Sequence, residues 1–136
     1  MFDWKKPTTQ MLGRFQPWHA GHTALFKKSL METGQVCIFV RDVGGITGED
    51  AGAGRTGNQN DNPFHWDTVR ENIERELKKE GFTYNQEYVV LQVPNIVDIS
   101  YGRGVGYTFT QHDLGEDIHK ISATEIRAKL RSQGKL

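Results

Sequence analysis

Residues Gln35 to Val43 form a nearly unbroken apolar run, with Val36-Cys37-Ile38-Phe39-Val40 at its centre. A strand rich in β-branched and aromatic residues and lacking a polar face belongs inside a parallel sheet, covered on both sides. The preceding segments supply its partners. Thr8 to Phe15 carries Thr9, Met11, Leu12 and Phe15, enough for a short strand that runs into the loop Gly13-Arg14-Phe15-Gln16-Pro17. From Trp18 onward, Ala20, Ala24, Leu25, Leu30 and Met31 recur mostly at three- and four-residue intervals and the pattern stops at Gly34, so a helix is expected from about His19 to Thr33. Strand, helix and strand make one βαβ unit.

Gly44 to Asp61 holds six glycines among Asn, Asp, Thr and Gln with one isoleucine, a composition without a core face that predicts a long mobile loop acting as a lid. Asn62-Pro63-Phe64 then leads into His65 to Gly81, where Val69, Ile73 and Leu77 fall every four residues between charged positions, as on a surface helix. Glu87 to Val93 reads as the next strand. Ile96 to Tyr101 and Tyr107 to Gln111 are further candidate strands around the glycine turn Gly102-Arg103-Gly104-Val105-Gly106. Ser122-Ala123-Thr124-Glu125 has the form of a capping box, opening a helix through about Ser132. Alternating strands and helices favour an α/β fold, a parallel sheet with helices on both faces, and such sheets bind ligands beyond the carboxyl ends of their strands.

A chain of 136 residues accommodates one compact domain, so residues 1–136 are read as a single unit. Seventeen Lys and Arg balance seventeen Asp and Glu, leaving no broad basic surface for nucleic acid or an anionic membrane. Phosphate binding, where it occurs, must be local. Cys37, the single cysteine, sits within the apolar run and reads as a small buried hydrophobe. The start lacks the apolar core of a signal peptide, and no apolar stretch approaches the roughly 20 residues that span a bilayer. A soluble, cytoplasmic protein is the expectation.

Two constellations carry chemistry. In Gly13-Arg14-Phe15-Gln16-Pro17-Trp18-His19-Ala20-Gly21-His22, a strand passes into a helix, and histidines three residues apart share a face at the helix start. Free backbone N–H groups and the helix dipole attract phosphate there. Gly13 and Gly21 permit close approach, and Arg14 offers a forked cation to phosphate oxygens. In Ile121-Ser122-Ala123-Thr124-Glu125-Ile126-Arg127, the hydroxyls of Ser122 and Thr124 stand beside the orphan N–H groups of a second helix start, with Arg127 one turn on. Taken singly, each has an ordinary structural alternative, a solvated histidine pair or a plain capping box with a surface arginine.

Together, H-x-G-H at His19 to His22 and I-S-x-T-x-I-R at Ile121 to Arg127 resemble the signatures of the nucleotidyltransferase superfamily of the cytidylyltransferase and nicotinamide-mononucleotide adenylyltransferase kind. The likeness extends through G-R-F-Q-P-W-H-A-G-H, which includes Phe15, and through Asn62-Pro63-Phe64, which is similar to the segment before a helix in archaeal-type nicotinamide-mononucleotide adenylyltransferases. It is weak between Val93 and Lys120.

The resemblance implies a Rossmann-like fold with a triphosphate lying between two helix starts. It implies that His19 contacts the triphosphate and that His22 stabilises the α-phosphate in its transition state. Ser122, Thr124 and Arg127 would hold the β- and γ-phosphates, with Gly13, Arg14, Phe15 and Gly21 completing the nucleotide site. His19, His22 and Arg127 are thus the expected catalytic group. Mg2+ would shield the triphosphate, on ligands the residues do not name. ATP is favoured over CTP and nicotinamide mononucleotide leads the acceptors, with a cytidylyltransferase acting on a phospho-alcohol, or a non-catalytic nucleotide-binding regulatory module, as alternatives.

The family's S-G-N-like turn is replaced here by Tyr101-Gly102-Arg103-Gly104-Val105-Gly106-Tyr107, which leaves the acceptor open. Arg103 could add charge for a base or phosphate. Arg41, ending the second strand on the ligand edge, is a further acceptor or phosphate candidate, and Arg55 in the loop another. Trp18 could stack on an acceptor, although a tryptophan beside a helix start more often packs. Asn62 is read as a cap of the following helix, with a nucleotide-facing role as the alternative. His65, His112 and His119 lack metal-ligand spacing. Only nine residues follow Arg127, fewer than the C-terminal helical part of relatives, which gives the expectation of a homo-oligomer whose second subunit completes the site.

Overall fold

In a computed structural model describing residues 1–44, 62–104, 106–119 and 123–135, three parallel strands form the sheet. They are β1 (Thr9–Gly13), β2 (Val36–Arg41) and β3 (Tyr88–Val93), in spatial order β1-β2-β3. The apolar run is the central strand, as its composition requires. Helix α1 (Ala20–Thr33) joins β1 to β2, and α2 (Trp66–Lys79) precedes β3. Two short elements close the chain, α3 (Glu116–His119) and α4 (Ala123–Ser132). The architecture is a Rossmann-like α/β fold.

Register partners across the sheet, Met11, Ile38 and Val90, project to one side. They enter a buried cluster with Phe26 of α1 and with Val69, Ile73 and Leu77 of α2, the apolar stripe recognised in the sequence. Burying a side chain of this size stabilises by roughly 1.5–3 kcal/mol, so this shared face is what aligns β1 and α1 at the site. Helix α1 stops at Gly34, whose φ of 88° is the left-handed conformation that glycine adopts without penalty, and its N–H bonds the Leu30 carbonyl. Cys37 is half-buried in β2, and burial pushes its thiol up to about 11, as suits a packing residue rather than a nucleophile.

Several expectations are corrected. The segments Ile96 to Tyr101 and Tyr107 to Gln111 form no strand; the chain there is irregular in its described residues. Ile96 N–H turns back onto the Pro94 carbonyl at 2.7 Å, and the apolar alternation of Val97, Ile99 and Tyr101 stays exposed. Propensity of this kind makes a strand only where a neighbouring edge supplies hydrogen bonds. The rings of Tyr101 and Phe109 pack locally instead, 5.6 Å between centroids. Helix α3 was not foreseen. The lid expected from Gly44 to Asp61, with Arg55, lies outside the described residues apart from Gly44. No helix among the described residues is long and apolar enough to cross a membrane.

Candidate functional site

Beyond Gly13 the chain leaves β1 through a tight turn before α1. Phe15 takes φ 52°, a left-handed conformation uncommon outside glycine, and its ring folds back over Gly13. A Cβ on Gly13 would stand 2.9 Å from the ring, so glycine is required for this close approach. Phe15 then meets Trp18 and the edge of His22, each with 5.0 Å between centroids. Trp18 is buried and its indole N–H donates to Thr23 Oγ1 at 2.9 Å. It packs behind His22 and offers no open ring face to an acceptor.

His19 is the N-cap of α1, in extended backbone, one residue before the helix. Its Nδ1 accepts from Gly21 N–H at 3.0 Å, while its own N–H donates to His22 Nδ1 at 3.0 Å. Two histidines thus build a reciprocal capping box of the kind usually made by Ser or Thr with Glu. The rings stack at 3.9 Å. Because both Nδ1 atoms accept, the hydrogen-bond network assigns each neutral ring its proton on Nε2. Burial lowers the pKa of His19, and burial followed by repulsion from His19 lowers His22 to about 3. At neutral pH both rings are uncharged donors.

This geometry revises one expectation. The N–H groups of His19, Gly21 and His22 are engaged within the protein, His22 N–H on the His19 carbonyl at 2.9 Å. The imidazole Nε2–H groups, together with the Ala20 N–H and the helix dipole, are what the turn can present to an anion. No acidic residue occupies the first turn to oppose one.

Arg127 of α4 is buried, with 2% exposure, and reaches back across 111 residues to donate from Nη1 to the Gln16 carbonyl at 2.6 Å. Its Nη2 bonds Thr124 Oγ1 at 3.3 Å. The second constellation is therefore docked on the first. Ser122 lies outside the described residues. Gly21 also matters to this junction, since a Cβ there would meet His19 Cε1 at 2.8 Å and Ile118 of α3 at 3.6 Å.

Arg14 Nη1 donates to Asn62 Oδ1 at 3.1 Å. Asn62 is fully buried and does not cap α2, whose N-cap position is His65 without a side-chain bond. Arg41, half-buried, donates from Nη2 to Asn95 Oδ1 at 2.8 Å and has its pKa lowered by burial. With Leu12, Ile96, Val97, Asp98 and Ile99 it lines an open hollow of about 320 Å³ beyond the strand ends. Arg103 is exposed in the irregular segment. Among the described residues no three His, Cys, Asp or Glu side chains converge as metal ligands.

Sequence reasoning missed two participants, Gln16 and Asn95. Asn95 follows β3 on the ligand edge, and that position was a usable signal. Gln16 lies within the G-R-F-Q-P stretch, but nothing local in that stretch gives its side chain a partner.

The fold is similar to that of a solved bifunctional NMN adenylyltransferase/ADP ribose pyrophosphatase from Francisella tularensis, complexed with AMP and a manganese ion. The TM-score is 0.50 over 65% of this chain at 20% identity, a likeness of fold alone. This chain spans 23% of the length of that protein. No family model matches the chain, and no curated protein matches it significantly.

Proposed function

We propose that this protein is a nucleotidyltransferase that moves a nucleoside monophosphate, AMP by preference, from a nucleoside triphosphate onto a phosphorylated acceptor. The reading is carried by the histidine capping box, which sets two neutral Nε2–H donors at the head of α1 where a strand of a Rossmann-like sheet ends. The shared fold with a protein complexed with AMP favours an adenine nucleotide and agrees with the motif resemblance. Nicotinamide mononucleotide leads the acceptors on the same grounds.

An oxygen of the acceptor phosphate attacks the α-phosphorus in line, the bond from that phosphorus to the bridging oxygen breaks, and its electron pair leaves with pyrophosphate. No covalent intermediate on the protein is required, because the acceptor is already an anionic nucleophile and the task is alignment and charge stabilisation. His22 donates its Nε2–H to an α-phosphate oxygen as charge accumulates there, and His19 donates to the triphosphate. Ser122 and Thr124 hold the departing phosphates and Arg127, bonded to the Gln16 carbonyl and to Thr124 Oγ1, orients Thr124 and adds its charge beside them, while Gly13, Arg14, Phe15 and Gly21 shape the turn. The donor set among the described residues does not form a dedicated metal cage. A magnesium ion would instead be carried on the triphosphate oxygens, as this ion commonly is.

We assign the acceptor to the hollow lined by Arg41, whose guanidinium is bonded to Asn95.

Pyrophosphate release is measured with ATP and with CTP, each with magnesium, against phosphorylated acceptors led by nicotinamide mononucleotide. Release with ATP and one acceptor is expected. Triphosphate binding with no release across the panel would replace the enzyme with the binding module, and release with CTP alone would replace adenylyl with cytidylyl transfer.

A further inference from the structure

Gln16 is buried, with 4% exposure, and makes three hydrogen bonds that join three separate parts of the chain. Its side-chain Nε2 donates to the Phe64 carbonyl at 2.7 Å, and its Oε1 accepts from Phe64 N–H at 2.8 Å. One primary amide therefore pairs with both polar groups of one residue's backbone, as neighbouring strands pair. Its own carbonyl accepts from Arg127 at 2.6 Å. Beside this clasp, Arg14 and Asn62 make a parallel link between the same two segments.

The turn from Arg14 to Trp18 lies outside any strand or helix ladder, so its backbone orientation must be set by side chains. A buried amide with both halves satisfied has one low-energy placement, because each alternative leaves polar groups unpaired away from water. Fixing that side chain fixes the direction of the adjoining carbonyl.

We propose that Gln16 is the positioning residue of the site: its clasp on Phe64 aims the Gln16 carbonyl, which captures Arg127 and so docks α4 against the histidine turn. The functional consequence rests on the nucleotidyltransferase reading; the docking itself does not. A cation brought from near the end of the chain is thereby set beside the strand-to-helix junction by a residue that touches no substrate.

The full chain carrying Gln16→Met keeps the side-chain volume and removes both Phe64 bonds. Hydrogen exchange should show lost protection in α4 with α1 protection retained. MgATP affinity should fall by about ten- to a hundred-fold, the range expected when a hydrogen bond to a charged group is lost. That fall should largely disappear in an Arg127→Ala background, since the two residues act through one contact. Unchanged α4 protection, or additive losses of affinity, would overturn the proposal. If the methionine variant does not fold, Gln16→Glu carries the same test, retaining the acceptor for Phe64 N–H and losing the donor to its carbonyl. If the unsubstituted protein binds no MgATP, the nucleotidyltransferase reading fails, and α4 exchange alone decides whether Gln16 docks Arg127.

Discussion

The His19 N–H donates to Nδ1 of His22 at 3.0 Å while the two rings stack 3.9 Å apart, so one histidine caps the helix and the other caps the cap. Both rings then carry their proton on Nε2, the atom proposed to meet phosphate. Nitrogen NMR of labelled protein at neutral pH should show the Nε2–H tautomer for both residues. A protonated Nδ1 on His22 would remove the proposed donor.

The same burial makes stability depend on pH. His22 is held at about 3 in the folded protein against an ordinary value of 6.5. Between those values the unfolded chain takes up a proton that the folded chain refuses, so stability is complete above about 6.5 and is lost as pH falls toward 3. The loss amounts to a few kcal/mol at most, about 1.4 kcal/mol for each tenfold change in proton affinity. Denaturant unfolding from pH 7 to pH 4 should show this decline, and His22→Gln should flatten it.

Gly21→Ala sets two local effects against each other. Alanine favours a helix interior over glycine by about 1 kcal/mol. Its Cβ would stand 2.8 Å from His19 Cε1 and displace the capping ring. Losing a side-chain cap costs about 0.5–2 kcal/mol, and nucleotide contact is lost with it. Thermal unfolding should therefore show little or no gain in Tm, while MgATP affinity falls. A variant that is more stable and binds equally well would show that the His19 ring position is unimportant.

His22→Ala and Arg127→Lys should separate transition-state from ground-state work. Removing a transition-state donor typically lowers kcat by about 10²–10³, so His22→Ala should act mainly on turnover. Lysine retains the charge of Arg127 but not its fork, and two acceptors, the Gln16 carbonyl and Thr124 Oγ1, are served by separate nitrogens of that fork. Arg127→Lys should weaken triphosphate binding more than it changes kcat. Steady-state kinetics with parallel binding measurements check both, and equal losses in kcat and affinity for His22→Ala would assign it to ground-state binding.

The sequence by itself determined the elements whose signals are local. The apolar run at Val36 to Val40, the four-residue spacing of Val69, Ile73 and Leu77, and the histidines at helical spacing each lie within a few turns of chain, where periodicity reports directly which face is buried. Tertiary structure decided the rest. Ile96 to Tyr101 has strand propensity but no paired edge, so its alternation remains exposed. That Gly21 N–H is closed to a ligand depended on where the His19 ring comes to rest. Gln16 finds Phe64 across 48 residues and Arg127 finds Gln16 across 111. Such bonds leave no local pattern, because the partner of a buried polar group is set by which backbone groups packing has already brought within reach.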